Sequence, residues 1–481
     1  MYSRRDILKL IGTTAIAAAG GNSLLGAEDL KSTRPNIIVV FIDDMGWGDL
    51  SCFGGREVTT ENIDRLAGEG IRFEQFYVNS PICSPSRVAI STGQYPQRWR
   101  ISSYLSNRSE NEKRGMAQWL DPAAPMLARF LQRAGYATGH FGKWHMGGQR
   151  DVGEAPLISE YGFDQSLTNF EGLGPRVLPL CDAHDGKGPR KHALGSDNLG
   201  RGLITWQDRS NVTETFVTAA ISFIDKAQAE KKPFYINLWP DDVHSPFFPP
   251  EAMRGDGKKR TLYYSVLDTM DRQIGVLFDA VRRNDDLRNN TLIVFCSDNG
   301  PENGAGVAGP LRGCKTMLYE GGIRSPLIVW GPGLIDSKQA GTVNRTSFIA
   351  AIDIVPSLLA IAAVDGPEDV RFDGQPLSDV LTGRSERSRT EPLFFRRPPD
   401  RNTDSGINNL PDLAVRQGEW KLLCEYDGSN AELYNLAADP AEEHNAASDR
   451  PDLVERLTQA VIQWHQSMPP DLGAVYGINK I

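Results

Sequence analysis

Ile37-Ile38-Val39-Val40-Phe41-Ile42 is a continuous apolar run, largely β-branched, and Asp43-Asp44 follows it directly. A strand without polar alternation must be covered on both faces, as in a parallel sheet held between layers of helices. Phe234-Tyr235-Ile236-Asn237-Leu238-Trp239, Leu292-Ile293-Val294-Phe295 and Leu327-Ile328-Val329-Trp330 read the same way. Helical patterns lie between such runs, at 124–131 and 215–227. The alternation predicts an α/β fold with a large, mostly parallel central sheet flanked by helices.

The last hundred residues change character. Ala414-Val415-Arg416, Trp420-Lys421-Leu422-Leu423 and Glu432-Leu433-Tyr434-Asn435-Leu436 are short strand-like pieces split by turns, and a helix is expected at 451–466. This predicts a smaller C-terminal α+β domain with an antiparallel sheet. The expected division is a catalytic domain at 34–380 and a C-terminal subdomain at 390–481, with the polar stretch Thr382 to Arg389 at the boundary.

A hydrophobic content of 40% and a charged content of 23% are those of an ordinary globular protein. The net charge of −9 argues against a nucleic-acid partner, whose footprint is basic. Residues 1–27 differ from the rest. Arg4-Arg5 precedes a modest apolar run from Leu10 to Ala19, and Leu24-Leu25-Gly26-Ala27 ends in small residues. This reads as a cleavable export signal of twin-arginine type, giving a periplasmic or extracellular protein. The run is too short to anchor the chain stably in a membrane. Six cysteines show no Cys-x-x-Cys spacing, and no pairing is predicted among them.

In open α/β sheets, ligands bind beyond the carboxyl ends of the strands. Asp43-Asp44 follows the first apolar run, and Ser297-Asp298-Asn299 follows Thr291 to Cys296. Asp241-Asp242-Val243-His244 follows the run at 234–239. His140-Phe141-Gly142-Lys143-Trp144-His145 follows a strand expected to end near Ala137. Each piece alone suits a turn or a helix cap. Together they offer Asp43, Asp44, Asp298 and Asn299 as oxygen ligands for a hard cation, Ca²⁺ or Mg²⁺. Arg87, Lys143, His145, His244 and Lys315 could then meet an anion.

Pro81-Ile82-Cys83-Ser84-Pro85-Ser86-Arg87 continues to Thr92-Gly93. Pro85 suits the first turn of a helix, so Cys83 lies at or just before a helix N-terminus, where an anion is favoured. The pattern Cys-x-Pro-Ser-Arg-x-x-x-x-Thr-Gly resembles the signature of the formylglycine-dependent (type I) sulfatases of the alkaline-phosphatase superfamily. Other blocks resemble the family in the same order: Asp43-Asp44, Gly142-Lys143-Trp144-His145, His244-Ser245-Pro246-Phe247, Ser297-Asp298-Asn299-Gly300, and Lys315 followed by Tyr319-Glu320-Gly321-Gly322. The resemblance covers about residues 34 to 465.

It implies that a separate maturation enzyme oxidises Cys83 to formylglycine. One hydroxyl of the aldehyde hydrate would attack sulfur, and deprotonation of the second would expel sulfate. It implies Ca²⁺ rather than Mg²⁺ on Asp43, Asp44, Asp298, Asn299 and an oxygen of the modified Cys83. Arg87 and Lys143 would hold the hydrate, and His145 would take its proton. His244 and Lys315 would contact the sulfate, and either could protonate the leaving alcohol. A sulfated glycan is the expected substrate, by analogy with exported relatives. The polar segment between Gly172 and Trp206 reads as a long loop and is a candidate for specificity. Asp241 and Asp242 could bind sugar hydroxyls or an amine, or cap a turn, and Trp239 could stack on a sugar or lie in the core. The alternatives are a phosphonate-monoester or phosphodiester hydrolase and, if Cys83 stays unmodified, a non-catalytic sulfoglycan-binding protein.

Overall fold

Strand β1 (Asn36–Ile42) is buried along its whole length. Its side chains alternate between two cores: Ile37, Val39 and Phe41 face one, and Ile38, Val40 and Ile42 face the other. The strand is therefore covered on both faces, as its unbroken apolar run requires. The computed structural model describes residues 34–182, 188–398, 400 and 410–470. The expected export signal at 1–27 lies outside these residues.

The strands that follow in the large sheet are β2 (Ile71–Tyr77), β3 (Ala137–Lys143), β4 (Gln165–Asn169), β5 (Arg176–Cys181), β6 (Arg190–Lys191) and β7 (Ile204–Asp208). After them come β8 (Phe234–Trp239), β9 (Thr291–Ser297), β10 (Arg324–Trp330), β11 (Thr342–Asn344) and β12 (Ile349–Ala350). The order is β11-β2-β10-β9-β1-β8-β3-β4-β5-β6, with β12 on β2 and β7 on β5. Pairing within β9-β1-β8-β3-β4 is parallel throughout. Strand β10 runs antiparallel to both β2 and β9. Helices Val212–Ala229 and Lys259–Arg283 contribute to the second core. Helices Cys83–Thr92 and Ala351–Ile361 contribute to the first.

A four-stranded antiparallel sheet follows, of β13 (Leu393–Arg396), β14 (Leu413–Gln417), β15 (Trp420–Cys424) and β16 (Glu432–Asn435). Helix Pro451–Ser467 packs on it through Leu453, Leu457, Val461 and Trp464. Among the described residues, no helix is long and apolar enough to cross a membrane. All six cysteines are free.

Three local expectations are corrected. The strand expected to end near Ala137 runs on to Lys143, so His140 lies inside it. There His140 is packed edge-on against Trp144, Phe163 and Trp239. The helix expected from Ala124 begins at Leu127, because Met126 after Pro125 is extended (φ −69°, ψ 127°). The 172–206 segment forms edge strands β5, β6 and β7 in place of a plain loop. Within it, Arg176 is buried and donates to the Ser196 and Gly200 carbonyls. His184, Asp185 and Lys187 of that segment lie outside the described residues.

A buried ion network joins the small sheet to the end of the large one. Lys421 Nζ lies 3.0 Å from Glu320 Oε1 and 2.8 Å from Glu442 Oε1, all three side chains being buried. It fixes the Glu320-Gly321-Gly322 turn, whose Gly322 carbonyl accepts from the Gly300 amide at 3.0 Å. A Cβ on Gly300 would sit 1.9 Å from the Gly321 carbonyl oxygen, so only glycine allows this contact after Asp298-Asn299. Lys421→Met removes the cation that two buried carboxylates share, leaving Glu320 with Arg324 and Tyr77, and the expected cost is about 3–5 kcal/mol. Denaturant unfolding checks this. A loss under about 1 kcal/mol would show the network to be dispensable.

Candidate active site

Strands β9, β1, β8 and β3 are parallel neighbours, so their carboxyl ends meet on one edge. The backbone stays linked beyond them. Asp298 N donates to the Ile42 carbonyl at 2.9 Å, Asp43 N to Asp242 O at 3.1 Å, and Val243 N to Asp43 O at 2.8 Å. Helix Cys83–Thr92 brings the Cys-Ser-Pro-Ser-Arg segment to the same edge, with Cys83 as its first residue and Arg87 one turn later. Lys315 comes from the loop after Pro301, tied by Lys315 N to Pro301 O (3.0 Å) and by Thr316 N to Pro81 O (2.8 Å). All ten candidate residues thus gather in one place.

Asp43, Asp44 and Asp298 each present a carboxylate oxygen within 4.8 Å of the others, and all three are fully buried. Asn299 Nδ2 donates to Asp44 Oδ1 at 2.8 Å. Asn299 Oδ1 is buried with no hydrogen-bond partner among the described residues. Asp43 Oδ1 makes no hydrogen bond either, although Arg87 Nη2 lies 3.3 Å away. Burial and the adjacent Asp43 carboxylate push Asp298 well above the usual carboxylate range. For Asp43, burial acts upward, but Lys143, His244 and Arg87 outweigh it and hold the carboxyl well below that range. A pocket of unfilled oxygen acceptors, one of them reluctant to ionise, fits a hard divalent cation.

Three cations surround the carboxylates. Lys143 Nζ contacts Asp43 Oδ2 at 2.6 Å, Arg87 Nη2 contacts Asp298 Oδ2 at 2.8 Å, and Lys315 Nζ contacts Asp44 Oδ2 at 2.6 Å. They balance the three carboxylates, so a bound divalent ion would leave net positive charge to draw in an anion.

His145 Nε2 sits 3.0 Å from the Leu105 carbonyl. A carbonyl can only accept, so Nε2 carries the proton and Nδ1 is the bare acceptor. Nδ1 is buried and has no partner among the described residues. Burial, with Lys143 nearby, holds the imidazole well below its ordinary pKa and therefore neutral. Ser84 Oγ accepts from Leu105 N at 3.0 Å, which ties that carbonyl to the helix carrying Cys83. His244 approaches from the other side, its Nε2 lying 3.6 Å from Asp44 Oδ2. Asp44, His145, Glu171 and Thr316 all have positive φ, the strained backbone that concentrates at functional sites.

Strand-end reasoning missed Phe170 and Glu171. They follow β4, whose sequence Gln-Ser-Leu-Thr-Asn has no apolar run to mark it. Phe170 lies under Lys143 Nζ (4.5 Å to the ring centre) and packs edge-on against His145. Glu171 is buried, 3.8 Å from His145 Nε2 and 3.6 Å from Arg150 Nε. Trp239 is core, covered by Arg87 at 5.4 Å. Asp241 and Asp242 pair with Arg209.

Burial pushes Glu171 up to about 8, and Arg150 and Lys143 offset this only in part. Such a group adds stability that is complete below its ordinary value of 4.5 and is lost as pH rises through about 8. The wild-type melting temperature should therefore fall more steeply than that of Glu171→Gln between about pH 5 and 8. Parallel curves would contradict this.

Residues 35–364 match the family model for sulfatases. The chain belongs to the sulfatase family. As a member, it is a sulfuric ester hydrolase. Residues 314–467 of this sulfatase also match the model described as N-sulphoglucosamine sulphohydrolase, C-terminal. It is 29% identical to an N-acetylgalactosamine-6-O-sulfatase of Bacteroides thetaiotaomicron, over 94% of this chain and 97% of the relative. It is 31% identical to the N-acetylgalactosamine-6-sulfatase of Sus scrofa, over 79% and 71%. Among solved structures it resembles Ps i-CgsB, with TM-score 0.73 and 25% identity over 90% and 92% of the two chains. A phosphonate monoester hydrolase of Agrobacterium radiobacter shares the fold, with TM-score 0.62 and 20% identity over 92% and 97%.

Proposed function

We propose that this sulfatase cleaves a sulfate ester on a carbohydrate, with Cys83 matured to formylglycine as its nucleophile. The observation that carries this is the setting of Cys83. It opens a helix beside three carboxylates, three cations and two histidines, in the wall of a cavity of about 450 Å³. Burial pushes the Cys83 thiol up, and Lys143 and Lys315 offset that only in part, so an unmodified sulfur would be a poor nucleophile.

An aldehyde hydrate supplies one hydroxyl for attack and a second whose deprotonation expels sulfate. Asp43, Asp44, Asp298 and Asn299 would hold a divalent ion, Ca²⁺ in preference to Mg²⁺, since an all-protein oxygen cage suits the larger ion. When bound, the ion polarises the sulfate and favours the ionised nucleophile. Arg87 and Lys143 orient the nucleophile. His145 takes the proton of the second hydroxyl at Nδ1. His244 and Lys315 bind sulfate oxygens, and one of them protonates the leaving alcohol.

The carbohydrate assignment draws support from the relatives' names and from Ps i-CgsB, described in complex with k-i-k-neocarrahexaose. The arginine pair and apolar run at 1–27 support export to the periplasm or beyond, and maturation needs a formylglycine-generating partner. The catalytic part is assigned to 34–380 and the C-terminal subdomain to 390–481. Rates on an aryl sulfate and an aryl phosphonate monoester test the reaction class. A higher kcat/KM on the sulfate is expected, and a higher value on the phosphonate would overturn the proposal.

A further inference from the structure

The cavity holding Cys83 adjoins a recess of about 30 Å³, and Phe170, Glu171, His192 and His244 line both. Asp43 also lines the recess, so it abuts the reacting groups. Its remaining polar lining is unusual. Neither end of the Asn169 amide has a hydrogen-bond partner among the described residues, nor do Asp241 Oδ1, Arg209 Nη1 and Glu171 Oε2. Yet Asn169 is 1% exposed, Glu171 3%, Arg209 4% and Asp241 7%. Each unpaired buried group costs about 1–3 kcal/mol, so the set is built for something that enters it.

Size and charge restrict what enters. The recess has room for about two water-sized groups, enough for a hydroxyl or hydroxymethyl but not for a sulfate. Arg209 Nη2 is shared between Asp241 Oδ2 (3.4 Å) and Asp242 Oδ1 (2.8 Å), which leaves one negative charge in excess. Open acceptors, Asn169 Oδ1 and Asp241 Oδ1, stand beside open donors, Asn169 Nδ2 and Arg209 Nη1. A neutral hydroxyl gives a proton to Asp241 or Asn169 and accepts from Arg209, whereas a carboxylate meets repulsion.

We propose that this recess binds a free hydroxyl of the sugar ring carrying the sulfate, and thereby selects an uncharged ring. The proposal rests on the carbohydrate-sulfate reading above. Asn169 and Asp241 are its specificity residues, and the ring itself occupies the larger cavity.

The test uses the matured full-length enzyme. Its substrates are 4-nitrophenyl sulfate, the 6-sulfates of galactose and N-acetylgalactosamine, and galactose 6-sulfate lacking the C2, C3 or C4 hydroxyl. With wild type, loss of one hydroxyl should lower kcat/KM about tenfold or more. Asn169→Ala and Asp241→Asn should no longer discriminate that deoxy sugar. In both variants the kcat/KM ratio of sugar sulfate to aryl sulfate should fall about tenfold. Asn169→Ala removes no existing hydrogen bond, so its melting curve should stay near wild type, and it carries the test if Asp241→Asn misfolds. Equal cleavage of every deoxy sugar would mean that the recess holds water only, and would overturn the proposal. Cleavage of a 2-sulfated uronic acid as fast as the best neutral sugar would overturn it too. Cleavage of the aryl ester but of no sugar, or failure on both ester classes, would instead sink the carbohydrate-sulfate reading, a result that needs no variant.

Discussion

Cys83→Ala is expected to lower sulfate-ester turnover by on the order of 10⁴-fold or more while the protein stays folded. The cysteine begins helix Cys83–Thr92, and the flanking packing does not depend on its sulfur. Ser86 N still bonds the Ile82 carbonyl at 3.3 Å, and Ser86 Oγ donates to the Ser80 carbonyl at 2.8 Å. Truncation of this one buried side chain costs about 1 kcal/mol, a small part of the stability of a chain this size. The expected chemical loss is far larger, because the proposed mechanism routes both of its steps through this one residue. Cys83→Ser should be equally inactive unless the host carries a maturation enzyme that accepts serine. Kinetics on an aryl sulfate, with circular dichroism for the fold, check both variants. Near-native turnover by Cys83→Ala would exclude covalent catalysis at this position.

Removal of the divalent ion should have the next largest effect. Asp43, Asp44 and Asp298 lie within 4.8 Å of one another in a fully buried pocket. Without a cation, burial and Asp43 favour a proton on Asp298, so an ion and a proton compete for the same oxygens. Chelation followed by dialysis should lower turnover about 100-fold or more, with recovery on adding Ca²⁺. The second readout is independent of activity. Ca²⁺ at about 100 times its dissociation constant adds about 2.7 kcal/mol to the folded state, so the melting temperature should rise with added ion. Asp298→Asn should weaken that rise. Full activity in protein shown by elemental analysis to hold no metal would refute the assignment.

Much of this architecture was legible because burial on two faces leaves a mark in the sequence. The runs at 37–42, 234–239 and 292–295 read as strands covered on both faces, and each led directly to its polar terminus. The direction of β10 was not legible, since an apolar run reads the same both ways. His140 was misplaced because Gly139 and Gly142 break the apolar pattern of β3, although the strand continues to Lys143. Phe170, Glu171 and Asn169 were invisible for a related reason. Strand β4 lies toward the sheet's edge, with Gln165 exposed and Ser166 and Leu167 half-buried, so no hydrophobic signal announces its end. The polar residues beyond the central strands, Asp241 among them, were therefore legible, and those that follow the outer strand β4 were not.

Turnover should depend on the chemical state of Cys83 in working enzyme. Trypsin releases it within the peptide Phe73–Arg87, and the formylglycine form of that peptide is about 18 Da lighter than the thiol form. Mass spectrometry on preparations made with graded amounts of maturation enzyme gives the converted fraction, to be plotted against turnover of an aryl sulfate. Turnover should rise in proportion to that fraction and vanish where only the thiol remains. Full turnover from protein carrying an intact Cys83 thiol would contradict the account.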